Sequence, residues 1–126
     1  MMLNILSVDD DNGWLYLMRR YCKDECNHVN LKTFSKPERC LEYITRELKK
    51  GIKVDAVIVD RKMPKIPGEV LSVLIKEISK DIPVIMYTGD DTTFFKSYKA
   101  YKLDHIFQKD NILEDMPRIL SKIKKT

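Results

Sequence analysis

Val57-Ile58-Val59-Asp60-Arg61-Lys62-Met63-Pro64-Lys65-Ile66-Pro67-Gly68 is the stretch that decides how the chain is read. Three β-branched residues run into one carboxylate, and a loop punctuated by Pro64, Pro67 and Gly68 follows. A short apolar run bounded in this way fits a strand buried on both faces, as in the middle of a parallel sheet. Asp60 then stands at the carboxyl edge of that strand, where open α/β sheets place their sites. Asp also starts turns, and this stretch alone does not separate the two roles.

The flanking chain supplies the context. Upstream, Leu3 to Val8 reads as a first strand stopped by Asp9-Asp10-Asp11. Asp11 or Asn12 can cap a helix to about Cys26, with Trp14, Leu15, Met18, Tyr21 and Cys22 at helical spacing. Val29 to Phe34 alternates, which suits a strand nearer the sheet edge. Ser35-Lys36-Pro37-Glu38 has the form of a capping box, Leu41, Ile44 and Leu48 give a buried stripe, and Gly51 closes that helix.

Downstream of the central strand (54–59), Val70, Leu71, Leu74, Ile75 and Ile78 recur at helical spacing. A fourth strand over 82–87 is stopped by Thr88-Gly89-Asp90. A more polar helix over 91–101 carries Phe94, Phe95, Tyr98 and Tyr101, two expected in the core and two exposed for a dimer or target contact. Residues 105–107 form a fifth strand ending at Gln108-Lys109-Asp110. Leu113, Met116, Leu120 and Ile123 mark a last helix whose start Pro117 leaves open. Five strands alternating with five helices predict a three-layer α/β domain with a parallel sheet.

Composition narrows the class. A chain of 126 residues, 44% hydrophobic and 33% charged, is one soluble globular domain with a core of its own. A surplus of +4, scattered along the chain, gives no footprint for nucleic acid. No apolar run approaches the roughly 18 residues that span a membrane, and residues 1–4 carry no basic leader, so a cytoplasmic protein is expected. Cys22, Cys26 and Cys40 read as reduced residues on helix faces. Cys22, Cys26 and His28 could begin a zinc site, but the i, i+4 spacing of the two cysteines also suits one apolar face. His28 and His105 have no nucleophile placed beside them in sequence, and Trp14 is expected in the core.

In a parallel sheet the strand ends share one edge, so Asp9, Asp10, Asp60, Thr88 and Lys109 should converge on a crevice. Two carboxylates about 5 Å apart repel by roughly 3 kcal/mol at an effective dielectric near 20. A hard divalent cation removes that cost, and oxygen ligands with room for waters describe Mg²⁺. A carboxylate nucleophile beside such an ion, a hydroxyl and a lysine suits phosphoryl transfer.

With these residues the chain resembles the receiver domain of two-component response regulators over essentially its whole length. The resemblance rests on Asp9-Asp10, Asp60-Arg61-Lys62-Met63-Pro64 through Gly68, Pro83-Val84-Ile85-Met86-Tyr87-Thr88-Gly89, and Lys109, in order and at strand ends. It implies a single domain over 1–126 with no output domain in this chain, and a flavodoxin-like (βα)5 fold with strand order 2-1-3-4-5. It implies a signalling phosphoacceptor, not an enzyme, that catalyses only its own phosphoryl transfer and dephosphorylation. Asp60 would take the phosphoryl group from a sensor histidine kinase or histidine phosphotransfer protein. Asp10, Asp60 and the backbone carbonyl of Lys62 would ligate Mg²⁺, with Asp9 reaching it mainly through water. Thr88 and Lys109 would act on the phosphoryl group, and Gly89 would leave room for it. Lys62 and Asp90 flank the site as rate-tuning residues and are expected to pair across its mouth. The protein would act by docking to a downstream protein, as a monomer or a phosphorylation-dependent dimer.

Three departures touch the output face. Asp110 stands where the family carries a proline joined by a cis bond, Ile106 fills the aromatic switch position, and the glycine usual before the fifth strand is replaced around Lys102-Leu103. They motivate an alternative, a pseudo-receiver that serves as a constitutive interaction module. Asp9-Asp10-Asp11 also fits the Asp-x-Asp of haloacid-dehalogenase-type phosphatases, in which Asp9 would be the nucleophile.

Overall fold

The alternating apolar and amphipathic segments form β1 (Leu3–Val8), α1 (Asn12–Glu25), β2 (Val29–Phe34), α2 (Pro37–Lys49), β3 (Ala56–Asp60), α3 (Gly68–Ile78), β4 (Val84–Thr88), β5 (His105–Gln108) and α4 (Ile112–Lys124). This computed structural model describes residues 2–89 and 101–124. The helix expected over 91–101 lies outside the described residues except for Tyr101, which is exposed. All strand pairings are parallel, in the order β2-β1-β3-β4-β5. This is the flavodoxin-like order expected.

Strand alternation sends successive side chains to opposite faces, and two separate cores result. On one face Leu6, Val8, Val57, Val59, Val84 and Met86 pack with Cys40 and Ile44 of α2 and Leu71 and Ile75 of α3. On the other, Ile5, Ala56, Ile58, Ile85, Tyr87 and Phe107 pack with Met18 and Cys22 of α1 and Met116, Ile119 and Ile123 of α4. β3 and β4 are buried at every position, as a strand covered on both faces must be. β2, at the sheet edge, exposes Asn30 and Lys32 between buried Val29 and half-buried Leu31 and Thr33. The three cysteines form no disulfide and are buried, and Cys22 and Cys26 pack into the α1/α4 core.

The helix ends show where local chemistry was legible. Asp11 caps α1 by accepting the Trp14 N–H at 3.1 Å. Gly51, at φ +77°, closes α2 in a Schellman arrangement, its N–H on the Leu48 carbonyl and that of Ile52 on the Glu47 carbonyl, both at 3.0 Å. The capping box expected at Ser35-Lys36-Pro37-Glu38 does not form. Extended Lys36 is the N-cap and Pro37 the first helical residue, so Ser35 lies one position too early to cap. The buried stripe of α2 runs through Cys40, Ile44 and Glu47, with Leu41 and Leu48 half-buried beside it. Val70, Ile78 and Leu113, expected inside, are exposed.

Before β5, Lys102 adopts φ +59°, in the left-handed region that a Cβ disfavours by about 1–2 kcal/mol. This is the segment where the family glycine is missing, and the backbone keeps the glycine-like conformation without the glycine. Lys102→Gly is therefore expected to stabilise the fold by about 0.5–1 kcal/mol, net of the extra entropy it gives the unfolded chain. Chemical denaturation with an unchanged slope measures it.

Candidate functional site

Three strand ends build the site. Asp9 follows β1, Asp60 ends β3 and Lys109 follows β5, so all three stand on the carboxyl edge of the sheet. By alternation they continue the rows of Ile5, Ile58 and Phe107, on the face that packs α1 and α4. Lys109 Nζ lies 2.7 Å from Asp9 Oδ2 and 3.3 Å from Asp60 Oδ1, so one ammonium bridges two carboxylates. Asp9 is 2% exposed and its other oxygen accepts the Asp11 N–H at 2.9 Å. Asp10 is exposed, and carboxylate oxygens of Asp9, Asp10 and Asp60 lie within 4.8 Å of one another. It is the one such grouping of acids, cysteines or histidines among the described residues. An all-oxygen set with one exposed member fits a hard divalent cation that keeps part of its water shell.

Burial, reinforced by the charge of Asp9, pushes the Asp60 carboxyl up to about 7 although Lys109 pulls it down. Burial alone would lower the Lys109 ammonium, but its contacts with Asp9 and Asp60 outweigh that and hold it above the ordinary lysine value. The crevice thus carries more negative charge than one lysine neutralises.

The loop after Asp60 is shaped by one close approach. A Cβ on Gly68 would meet the Asp60 carbonyl oxygen at 2.3 Å, so only glycine lets the start of α3 lie against the end of β3. The Gly68 N–H closes the loop on the Arg61 carbonyl at 2.8 Å, Arg61 pairs with Glu69 at 3.3 Å, and Met63 is buried against the α2/α3 core. Thr88 is buried at the end of β4, and its carbonyl accepts the Lys109 N–H at 2.6 Å. It continues the row of Val84 and Met86, which faces the α2/α3 core. Lys62 and Gly89 flank the crevice in sequence, and Asp90 lies outside the described residues.

The departures from the family pattern have definite structural outcomes. The Lys109–Asp110 peptide is trans, as no described peptide bond is cis. Ile106 is half-buried and packs against the α2/α3 core. Trp14 does more than fill space. Its ring packs against Tyr87 at a 39° tilt with centroids 5.2 Å apart, and Lys109 Nζ lies 5.1 Å from the Trp14 centroid and 5.7 Å from that of Tyr87. By sequence Tyr87 has a place only in the fourth-strand motif and Asp115 has no role. The signal was available: Asp115 falls in helical register with Ile112, Met116, Ile119 and Ile123, where a solvated acid has no place.

The chain matches the family model for the response regulator receiver domain over residues 5–122. No curated protein sequence matches it. Similar solved structures include the response regulator TrrA from Thermotoga maritima in complex with Mg²⁺-BeF, at 22% identity, TM-score 0.78, covering 97% of this chain and 99% of that one. The chemotaxis response regulator CheY4 of Vibrio cholerae aligns at 20% identity with TM-score 0.79, covering 98% and 99%. The receiver domain of the histidine kinase CKI1 from Arabidopsis thaliana, complexed with Mg²⁺ and BeF3⁻, aligns at 17% identity with TM-score 0.80, covering 98% and 91%.

Two outcomes follow from the geometry. Gly68→Ala should destabilise the fold by about 1–3 kcal/mol, the usual cost of overpacking, read by chemical denaturation. Affinity for Mg²⁺ should rise between pH 6 and 8 and level off above. Below about 7 the cation must displace the Asp60 proton, which limits the slope to about tenfold per pH unit. Titration followed by emission of Trp14, the sole tryptophan, measures it.

Proposed function

Since the chain belongs to the response regulator receiver domain family, we propose that it is a phosphorylation switch whose acceptor is Asp60 and whose phosphoryl donor is a phosphohistidine on a sensor kinase or phosphotransfer protein. The observation that carries this reading is the Lys109 ammonium spanning Asp9 and Asp60 beside a three-carboxylate grouping. In the transfer, an Asp60 carboxylate oxygen forms a bond to phosphorus. The P–N bond breaks, and its electron pair leaves on the imidazole nitrogen. Negative charge grows on the phosphoryl oxygens, and Lys109 is placed to move from its carboxylate partners onto one of them. Thr88, on the neighbouring strand end, would swing its hydroxyl from the α2/α3 side toward another and donate its hydrogen. Mg²⁺ fits the oxygen donor set and would be held by Asp10, Asp60 and the Lys62 carbonyl, with Asp9 acting through water. When bound it supplies charge neutralisation between carboxylates and phosphoryl oxygens. Lys62, Gly89 and Asp90, neighbours in sequence of Asp60 and Thr88, would set how fast water reaches the acyl phosphate.

A phosphatase reading with Asp9 as nucleophile has no support in the geometry. Both Asp9 oxygens are engaged, one by the Asp11 N–H and one by Lys109. The pseudo-receiver alternative is favoured by the trans Lys109–Asp110 bond and by Ile106 packing half-buried against the α2/α3 core, since both positions belong to the expected output face. No described helix is long and apolar enough to cross a membrane.

Incubation with Mg²⁺ and acetyl phosphate, followed by intact mass, separates the two readings. One added phosphoryl group that disappears in Asp60→Asn is expected. An unmodified wild-type chain would instead favour the constitutive docking module.

A further inference from the structure

Asp115 lies in the first turns of α4 and is completely buried. A buried carboxylate is costly unless donors meet it, and here three of them converge on one of its oxygens. Its Oδ2 accepts the N–H groups of Asp110 at 3.0 Å and Asn111 at 3.1 Å, and also the Tyr87 hydroxyl. Its Oδ1 lies 3.6 Å from Arg118 Nη1.

Those donors are not incidental to the site. β5 is a four-residue edge strand, and its last ladder contact is the Lys109 N–H on Thr88. Beyond Lys109 the next two N–H groups have no strand to pair with, and Asp115 takes both. The same oxygen fixes the Tyr87 hydroxyl, and Tyr87 packs at a tilt against Trp14, with both rings beside the Lys109 ammonium. Burial first, then Asp115, raises the Tyr87 phenol, which keeps its hydrogen for this contact. Lys109 is therefore held from two directions, through its backbone and through the aromatic wall beside its side chain, and both lines of contact end on one carboxylate.

We propose that Asp115 is a positioning residue for phosphoryl transfer: it fixes the trans loop after Lys109 and the Tyr87 ring, and so holds the Lys109 ammonium between Asp9 and Asp60. This rests on the reading of Asp60 as phosphoacceptor. Asp115 touches neither the acceptor nor any metal donor, so its effect should fall on rate and leave cation binding alone.

Three variants test it. Asp115→Ala removes every contact, Asp115→Asn keeps an acceptor without the charge, and Tyr87→Phe removes one donor while leaving the loop contacts in place. With acetyl phosphate at saturation, Asp115→Ala should slow phosphorylation roughly ten- to hundredfold, the scale of a misplacement near 1 Å. Asp115→Asn should recover part of that loss and Tyr87→Phe should lose least, while the Mg²⁺ dissociation constant read by Trp14 emission stays within about twofold. Variants that lose thermal stability but phosphorylate at the wild-type rate per folded molecule would overturn the proposal, because a purely structural cap predicts that result. If Asp115→Ala does not fold, the other two variants carry the same comparison. A second readout does not depend on phosphate uptake. In the apo protein the ¹⁵N signal of the Lys109 ammonium should move toward that of an exposed lysine in Asp115→Asn. Failure of the wild type to take phosphate would reject the Asp60 reading, whereas an unmoved Lys109 signal would reject this one.

Discussion

Everything at the carboxyl edge of the sheet answers to one electrostatic constraint: acids are forced together where water is scarce. Asp9 and Asp60 approach closely enough for one ammonium to touch both, and at such separations like charges cost about 3 kcal/mol even at an effective dielectric near 20. The chain does not remove that cost by itself. Lys109 supplies one positive charge, Asp11 one N–H, and Asp60 still titrates near neutrality instead of in the ordinary carboxylate range. The site thus carries unbalanced negative charge, which suits it to capturing a cation and then an anionic group.

The scaffold meets this constraint with few residues. Gly68 removes the one atom that would separate α3 from the end of β3, and Met63 ties the intervening loop to the α2/α3 core. Asp60 is therefore presented from a short rigid strand, not from a free loop. Lys109 has no comparable strand behind it, since β5 is short and at the edge, and α4 contributes Asp115 to secure it.

Fold and acidic cluster were legible in the sequence because both depend on local signals. Apolar strands ending in Asp9 and Asp60, helical spacing between them and Gly51 past a helix end each act over a few residues. What was missed depends on depth and direction. Cys40, expected only on a helix face, is fully buried and takes the place in the α2 stripe expected for Leu41. Leu113, expected inside for its hydrophobicity, is exposed because α4 turns Asp115 and Met116 inward and a position two residues from Asp115 lies on another face. The Ser35 cap failed by one residue, the usual resolution of local rules at a helix start. The roles of Tyr87 and Trp14 arise from contacts 73 positions apart in the chain (87 − 14), which no window could display.

The strand rows carry a consequence for how this domain tolerates changes in length. Asp9, Asp60 and Lys109 project toward the α1/α4 side only because an odd–even count along each strand puts them there. A single residue inserted within β3 would shift that count and swing the carboxylate to the opposite layer, beside the row of Thr88, while the fold's hydrophobic pattern inverted with it. The turns at the opposite edge, 50–55 and 79–83, hold none of the acceptor machinery. Insertions for grafting or labelling belong there, where added length alters the outline of the protein and leaves its parity intact.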